Sequence, residues 1–133
     1  MADLAGTKHE EKVLVTNEVA IDFLGMEASR VLATPHLIGF LEMTARNSVK
    51  PLLEPGYDTV GTQVNVAHLA ATPVGMNVTL RSEVTSVEER RINFKVEAFD
   101  ETEKIAEGTH QRAIVNVARF ATRVAAKASK LPR

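Results

Sequence analysis

Three polar residues, Thr34, Glu42 and His68, stand in otherwise apolar stretches of this 133-residue chain. Thr34 lies in Ala33-Thr34-Pro35-His36. Glu42 interrupts Leu37-Ile38-Gly39-Phe40-Leu41-Glu42-Met43, and His68 ends the alternating run Val60-Gly61-Thr62-Gln63-Val64-Asn65-Val66-Ala67-His68. A hydroxyl, a carboxylate and an imidazole in weakly solvated positions are the working parts of acyl transfer or hydrolysis. Each also has a plainer explanation. An N-cap threonine stabilises a helix by about 1 kcal/mol and needs no other role. Arg46, four residues after Glu42, is a ready ion-pair partner on a helix, although Ile38, Leu41, Met43 and Ala45 around the carboxylate are apolar and an unpaired acid there is costly to bury. His68 fits a strand-end histidine bonded to backbone, yet its parity with Val64 and Val66 puts it on an inward face. His36 and His110 compete with it as partly buried histidines. His9 falls in the N-terminal segment and is set aside.

The elements that must hold these residues are readable. Thr34 as N-cap and Pro35 as first helical residue open a helix. Leu37, Leu41 and Ala45, with Ile38 and Val49, recur at helical spacing, and Pro51 closes it. With Phe40 and Met43 added, that helix is apolar on most sides, so other structure should wrap it. After the turn Glu54-Pro55-Gly56 the pattern becomes strands. Residues 59–69 alternate, with Val60, Thr62, Val64, Val66 and His68 on one face. Thr72-Pro73-Val74-Gly75 turns into a strand over 76–87, and the charged tip Glu88-Glu89-Arg90-Arg91 leads to Ile92, Phe94, Val96 and Ala98. Asp100-Glu101-Thr102-Glu103 turns into a last strand over 104–117. β-branched residues favour a first strand over 12–19, residues 1–10 read as a flexible start, and 20–33 as a loop with a helical turn. An Ala- and Arg-rich C-terminal extension, 119–133, reads as a short solvated helix, with contact to a phosphate as the weaker alternative. Consecutive strands on tight turns pair antiparallel. The expectation is one α+β domain over residues 1–133, a curved antiparallel sheet wrapped around one long central helix.

Composition narrows the function. Apolar residues are 44% and charged residues 25%, with a net charge of −1, the balance of an ordinary globular protein. Lys and Arg are scattered, so no nucleic-acid partner is expected. The chain has no cysteine, which excludes disulfides, thiolate metal sites and a cysteine nucleophile and fits a reducing cytoplasm. No run has the length of a membrane span or signal-peptide core, so the expectation is a cytoplasmic protein without a membrane partner. Histidines and carboxylates lack paired metal-ligand spacing, so no metal is expected. Gly61, Gly75 and Gly108 are too dispersed to cradle a phosphate; Gly61 inside a strand marks a bulge or a close approach.

Taken together, Ala33-Thr34, Gly39 with Glu42, the run from Val60 to His68, Ala70-Ala71-Thr72-Pro73-Val74-Gly75 and Glu107-Gly108-Thr109-His110-Gln111-Arg112 resemble the fluoroacetyl-CoA thioesterase family of hotdog-fold proteins. The likeness runs from about Val31 to Phe120. It implies a hotdog fold and hydrolysis of a small or medium acyl-CoA by a Thr, Glu and His site, here Thr34, Glu42 and His68, with Gly61 and Arg112 near the acyl group. It implies no cofactor beyond the coenzyme A of the substrate. It also implies a homodimer, or a dimer of dimers, joined edge to edge with sites at the subunit boundary, which would cover open strand edges. One departure stands out: Gly25-Met26-Glu27-Ala28-Ser29-Arg30 lacks the aromatic residues with which the fluoroacetyl-specific member gates its pocket. General acyl-CoA hydrolysis is therefore expected rather than fluoroacetyl discrimination. His68 is expected to act as base, with Glu42 orienting water or attacking the carbonyl and Thr34 bonding the carboxylate or acyl oxygen. The rival readings are a hotdog hydratase or dehydratase, which uses a similar carboxylate–histidine pair, and a non-catalytic acyl-CoA-binding module.

Overall fold

The computed structural model describes residues 3–132. Five strands form one antiparallel sheet: β1 (Lys8–Leu14), β2 (Tyr57–His68), β3 (Asn77–Glu88), β4 (Arg91–Phe99) and β5 (Lys104–Asn116), in the order β1-β3-β4-β5-β2. The long helix α1 (Thr34–Val49) packs across the sheet against β1, β2, β3 and β4, and α2 (Val117–Ala128) follows β5. One stripe of α1, Leu37, Leu41, Ala45 and Val49, is fully buried against Val78, Leu80, Val84, Ile92, Phe94, Val96 and Ile105. Spacing by four keeps those side chains on one helical face. The opposite face is less covered than the sequence suggests, since Met43 is 49% exposed.

The first strand begins earlier than β-propensity indicates. Residues 8–12 are mostly charged, but they alternate, with His9, Glu11 and Val13 half-buried and Lys8, Glu10 and Lys12 outward. The outward charges meet opposite charges on β3: Lys8 lies across from Glu83, and Glu10 accepts from Arg81 at 2.9 Å. Cross-strand charge pairs stabilise a sheet edge that composition alone reads as loose. The expected strand over 12–19 is thus corrected to Lys8–Leu14. Val15 leaves the strand to bury in the core, and Asn17–Val19 forms a 3-10 turn. The flexible start expected for residues 1–10 is also corrected from Asp3 onward, because Leu4 is 2% exposed and joins the core. Met1 and Ala2 lie outside the described residues.

The other strands and turns agree with the pattern of the sequence, with one consequential exception. The pairing of β2 with β5 shifts between Gly61 and Gln63, leaving Thr62 as the extra residue of a bulge. A bulge reverses the facing of everything beyond it. Thr59 and Gly61 lie opposite the buried Ile114 and Arg112, whereas Val64 and His68 lie opposite the buried His110 and Ala106. Val60 and Thr62 therefore do not share the face of Val64, Val66 and His68. Further along, a Cβ on Gly108 would run into the Asn65 carbonyl and the Val66 Cα, so only glycine allows β5 and β2 to approach there. β2 is an edge strand, and its residues 61–65 are all exposed.

Candidate active site

Thr34 opens α1 without capping it. Ala33 occupies the cap position, no side chain bonds there, and Thr34 is the first helical residue. Its hydroxyl is directed to another partner: Thr34 Oγ1 lies 2.8 Å from His68 Nδ1. The chain around them is tied to make this contact. Leu32 N–H donates to the Thr72 carbonyl at 2.8 Å, Val31 bridges Pro73, and Leu69 N–H donates to the Ile105 carbonyl at 2.7 Å. The approach to α1 is thereby fastened to the turn that follows β2. The other imidazole nitrogen, His68 Nε2, is buried and has no hydrogen-bond partner among the described residues. Burial holds the His68 pKa below the ordinary 6.5, against the smaller opposing effect of the nearby Ala70 backbone. Desolvation disfavours the imidazolium, so His68 is a neutral base at pH 7. For a reaction that needs neutral His68, the acid limb of a kcat/KM profile should then inflect below pH 6.5. An inflection above that value would mean that the imidazole is not desolvated in the working enzyme.

Glu42 belongs to a second cluster, halfway along α1. Arg112, on β5, donates from Nη1 to Glu42 Oε2 at 3.4 Å. Its remaining donors are fixed by Thr59: Nε to Thr59 Oγ1 at 2.7 Å and Nη2 to the Thr59 carbonyl at 2.9 Å. Nη1 also reaches His110 Nε2 at 3.2 Å, while His110 Nδ1 donates to the Gln63 carbonyl at 2.8 Å. His110 is buried, stacked on Phe94 and bonded at both nitrogens, so it acts as a brace for Arg112 and not as a base. Burial lowers the Arg112 pKa, opposed by the Glu42 charge, yet a guanidinium stays charged at any working pH. The Arg46–Glu42 pair that the spacing allows does not form. Arg46 binds Asp58 through two bonds, at 2.6 and 3.1 Å, and a bidentate fork is the stronger geometry. Nor is Glu42 dry: its side chain is 36% exposed, whereas that of Arg112 is 7% exposed. The carboxylate lies over Gly61, where a Cβ would stand 2.6 Å from Glu42 Oε2.

One chain does not unite all three residues. Thr34 and Glu42 are eight positions apart on α1, about 12 Å of helix. Gly61 and His68 are separated by roughly 20 Å of β2. The structure therefore pairs Thr34 with His68, and separately gathers Glu42, Gly61 and Arg112. Thr59 and the bracing role of His110 were not found from sequence. The alternation of His110 and Arg112 on β5 hinted at the second, while the Thr59–Arg112 contact depends on pairing distant in the chain. Among the described residues no group of three or more His, Cys, Asp or Glu is placed to hold a metal ion.

Comparison with known proteins decides the family. The profile described as fluoroacetyl-CoA-specific thioesterase matches residues 15–118. This chain belongs to the fluoroacetyl-CoA-specific thioesterase family. A curated family member, the fluoroacetyl-CoA thioesterase of Streptantibioticus cattleyicolor, is 40% identical over 101 residues, covering 76% of this chain and 73% of that protein. The crystal structure of a single-residue variant of a fluoroacetyl-CoA-specific thioesterase superposes with a TM-score of 0.86 at 33% identity, over 96% of this chain and 98% of that one. A thioesterase superfamily member from Thermus thermophilus gives a TM-score of 0.88 at 25% identity, over 98% and 97%. The sheet and central helix are those of the hotdog thioesterases, and the family is one of thioester hydrolases.

Proposed function

We propose that this protein hydrolyses small or medium acyl-CoA thioesters to the free acid and coenzyme A, with Thr34, Glu42 and His68 forming the hydrolytic site and Gly61 and Arg112 beside the acyl group. The observation that carries the reading is the desolvated His68, fixed by Thr34 through Nδ1 and left with an unpartnered, buried Nε2. With Nδ1–H donating to the threonine, the lone pair of Nε2 is the one left to take a proton from the attacking water. The water oxygen attacks the thioester carbonyl carbon, its proton passes to Nε2, and the tetrahedral oxyanion collapses with loss of the CoA thiolate, which recovers that proton. Thr34 thus positions the base through Nδ1, and its hydroxyl hydrogen remains to bond the acyl oxygen or the carboxylate. Glu42 orients the water or attacks the carbonyl itself. Backbone N–H groups at the start of α1 polarise the thioester carbonyl in this reading, since helix N-termini favour negative charge.

The complete site belongs to a homodimer. β2 is an open edge exposed over residues 61–65, and such edges are normally paired or protected. Antiparallel pairing of β2 with its two-fold copy sets the Gly61 half of one strand against the His68 half of the other. Glu42 and Arg112 of one subunit then face Thr34 and His68 of the partner. This accounts for the separation of the two clusters within one chain and for the exposure of Glu42. Its compartment in this reading is the cytoplasm, supported by the lack of cysteine; no helix among the described residues is long and apolar enough to cross a membrane.

Residues 25–30 carry no aromatic side chain, which favours acyl groups of the acetyl type over fluoroacetyl discrimination. A panel of short acyl-CoAs read by free-thiol release tests the proposal. The expected result is turnover with kcat/KM of about 10⁴ M⁻¹s⁻¹ or more on the best substrate. Double-bond formation or hydration without thiol release would instead make it a hydratase, and tight binding without turnover a binding module.

A further inference from the structure

The charges of the chain are nearly balanced overall, 16 basic against 17 acidic residues, yet no acid occurs after Glu107. The basic residues of this last stretch include Arg119, Arg123, Lys127 and Lys130, which α2 and its end carry at spacings of three and four, on one side of the helix. The start of this side faces a cleft of about 390 Å³ lined by Arg90, Asn116, Arg119, Thr122 and Arg123. Such a volume is of ligand size. The cleft is built from three anchored pieces. Glu89, at φ 58, turns the β3–β4 hairpin, and the Arg90 carbonyl accepts from Ile114 N–H at 2.8 Å. Val117 N–H donates to the Gly56 carbonyl at 2.9 Å, and Asn116 Oδ1 caps α2 by accepting from Arg119 N–H at 3.1 Å. No carboxylate among the described residues forms an ion pair with Arg90, Arg119 or Arg123. Three like charges converging without a counter-charge repel one another, and an anion with several charged oxygens relieves that repulsion.

We infer that this arginine cleft binds the phosphates of the nucleotide end of coenzyme A, and so selects CoA thioesters over thioesters that lack the nucleotide. The inference rests on the thioesterase reading and adds the subsite that recognises the carrier. Reach supports it. Arg112, beside the acyl position, lies four residues before Asn116 on β5, about 13 Å along the strand. Arg119 is three residues further, roughly 5 Å of helix. The pantetheine arm has about a dozen bonds between sulfur and diphosphate, comparable to four extended peptide residues or roughly 14 Å, and the long arginine side chains cover the remainder. Arginine also suits the task, because its planar fork matches phosphate oxygens in pairs.

The test compares wild type with Arg119→Ala/Arg123→Ala on two substrates sharing one acyl group, an acyl-CoA and an acyl-pantetheine. No residue of α2 is buried, so the double variant should fold. The expected result is a KM for the acyl-CoA raised by about tenfold or more, as for lost hydrogen bonds to a charged group, with kcat unchanged and with the acyl-pantetheine reaction unaffected. Titration of free coenzyme A by calorimetry should show binding to wild type that the double variant loses. Lys127→Ala, which removes a like charge outside the cleft, should raise KM far less. Equal effects on both substrates, an equal effect of Lys127→Ala, or undiminished CoA binding by the double variant would overturn the inference. A wild type that binds coenzyme A through these arginines but hydrolyses neither substrate would sink the thioesterase reading and leave the cleft standing.

Discussion

Glu42→Gln and His68→Ala each lower kcat/KM for a short acyl-CoA by at least about a hundredfold, the loss expected when an acid–base group leaves a site; mixing the two inactive variants restores activity. The restoration follows from the separation of the clusters. If a working site takes Glu42 from one subunit and His68 from the other, a mixed dimer has one site with both substitutions and one with neither. Random exchange makes half of the dimers mixed, each with one intact site of two, so recovery should approach about a quarter of wild-type activity. If instead each chain used its own Glu42 and His68, every site in the mixture would carry a defect and nothing would return. The measurement is thiol release after co-refolding or subunit exchange, with circular dichroism confirming that both variants fold. Unchanged kcat/KM in the two single variants would remove Glu42 and His68 from the chemistry. Full loss in the singles without recovery on mixing would refute the shared site while leaving the residues in place.

The sequence discloses α1 well and β1 poorly, for different physical reasons. Pro35, the stripe Leu37-Leu41-Ala45-Val49 and Pro51 are local signals, each sufficient within one or two turns. β1 is held by its ladder to β3 some seventy residues away, with Lys8 across from Glu83 and Glu10 bonded to Arg81, and no local pattern reports such a partner. Thr34 shows a subtler limit. Threonine suits a cap, and capping would explain its presence, but Ala33 takes that position and frees the hydroxyl for His68. The displacement by one residue turns a stabilising group into a positioning one. Arg46 is similar: four residues from Glu42 it reads as that residue's partner, until Asp58 at the start of β2 offers it a two-pronged fit. The bulge at Thr62 cannot be seen in the alternation of β2, because one added residue leaves the polar and apolar letters alternating while swapping their faces. Gly61 was the visible sign of it. Thr34, Glu42 and His68 stand out by residue type among apolar neighbours, and the family resemblance adds Gly61 and Arg112; the fold shows that the five form two groups, and that Thr59 and His110 hold Arg112 rigid.

Gly61→Ala lowers kcat by about tenfold or more through Glu42 alone, a cost in the range of misplacing a catalytic group by about 1 Å. A Cβ at this position would stand 2.6 Å from Glu42 Oε2, with Arg112 Nη1 and His110 Cε1 both at 3.5 Å. Arg112 cannot yield, since Thr59 and His110 engage its other donors. The carboxylate can, because it is held by a single 3.4 Å bond and open to solvent on its other side. The methyl group therefore displaces Glu42 and leaves the sheet intact, so midpoint denaturant concentration should change little. A double-mutant cycle separates this account from a direct role of Gly61 in admitting the acyl group. In a Glu42→Gln background that has already lost the carboxylate's function, adding Gly61→Ala should cost little further activity, the non-additivity of two changes acting on one group. If instead the two losses multiply, the methyl blocks the substrate itself, and Gly61 is glycine because the acyl chain, and not the carboxylate, occupies the space above it.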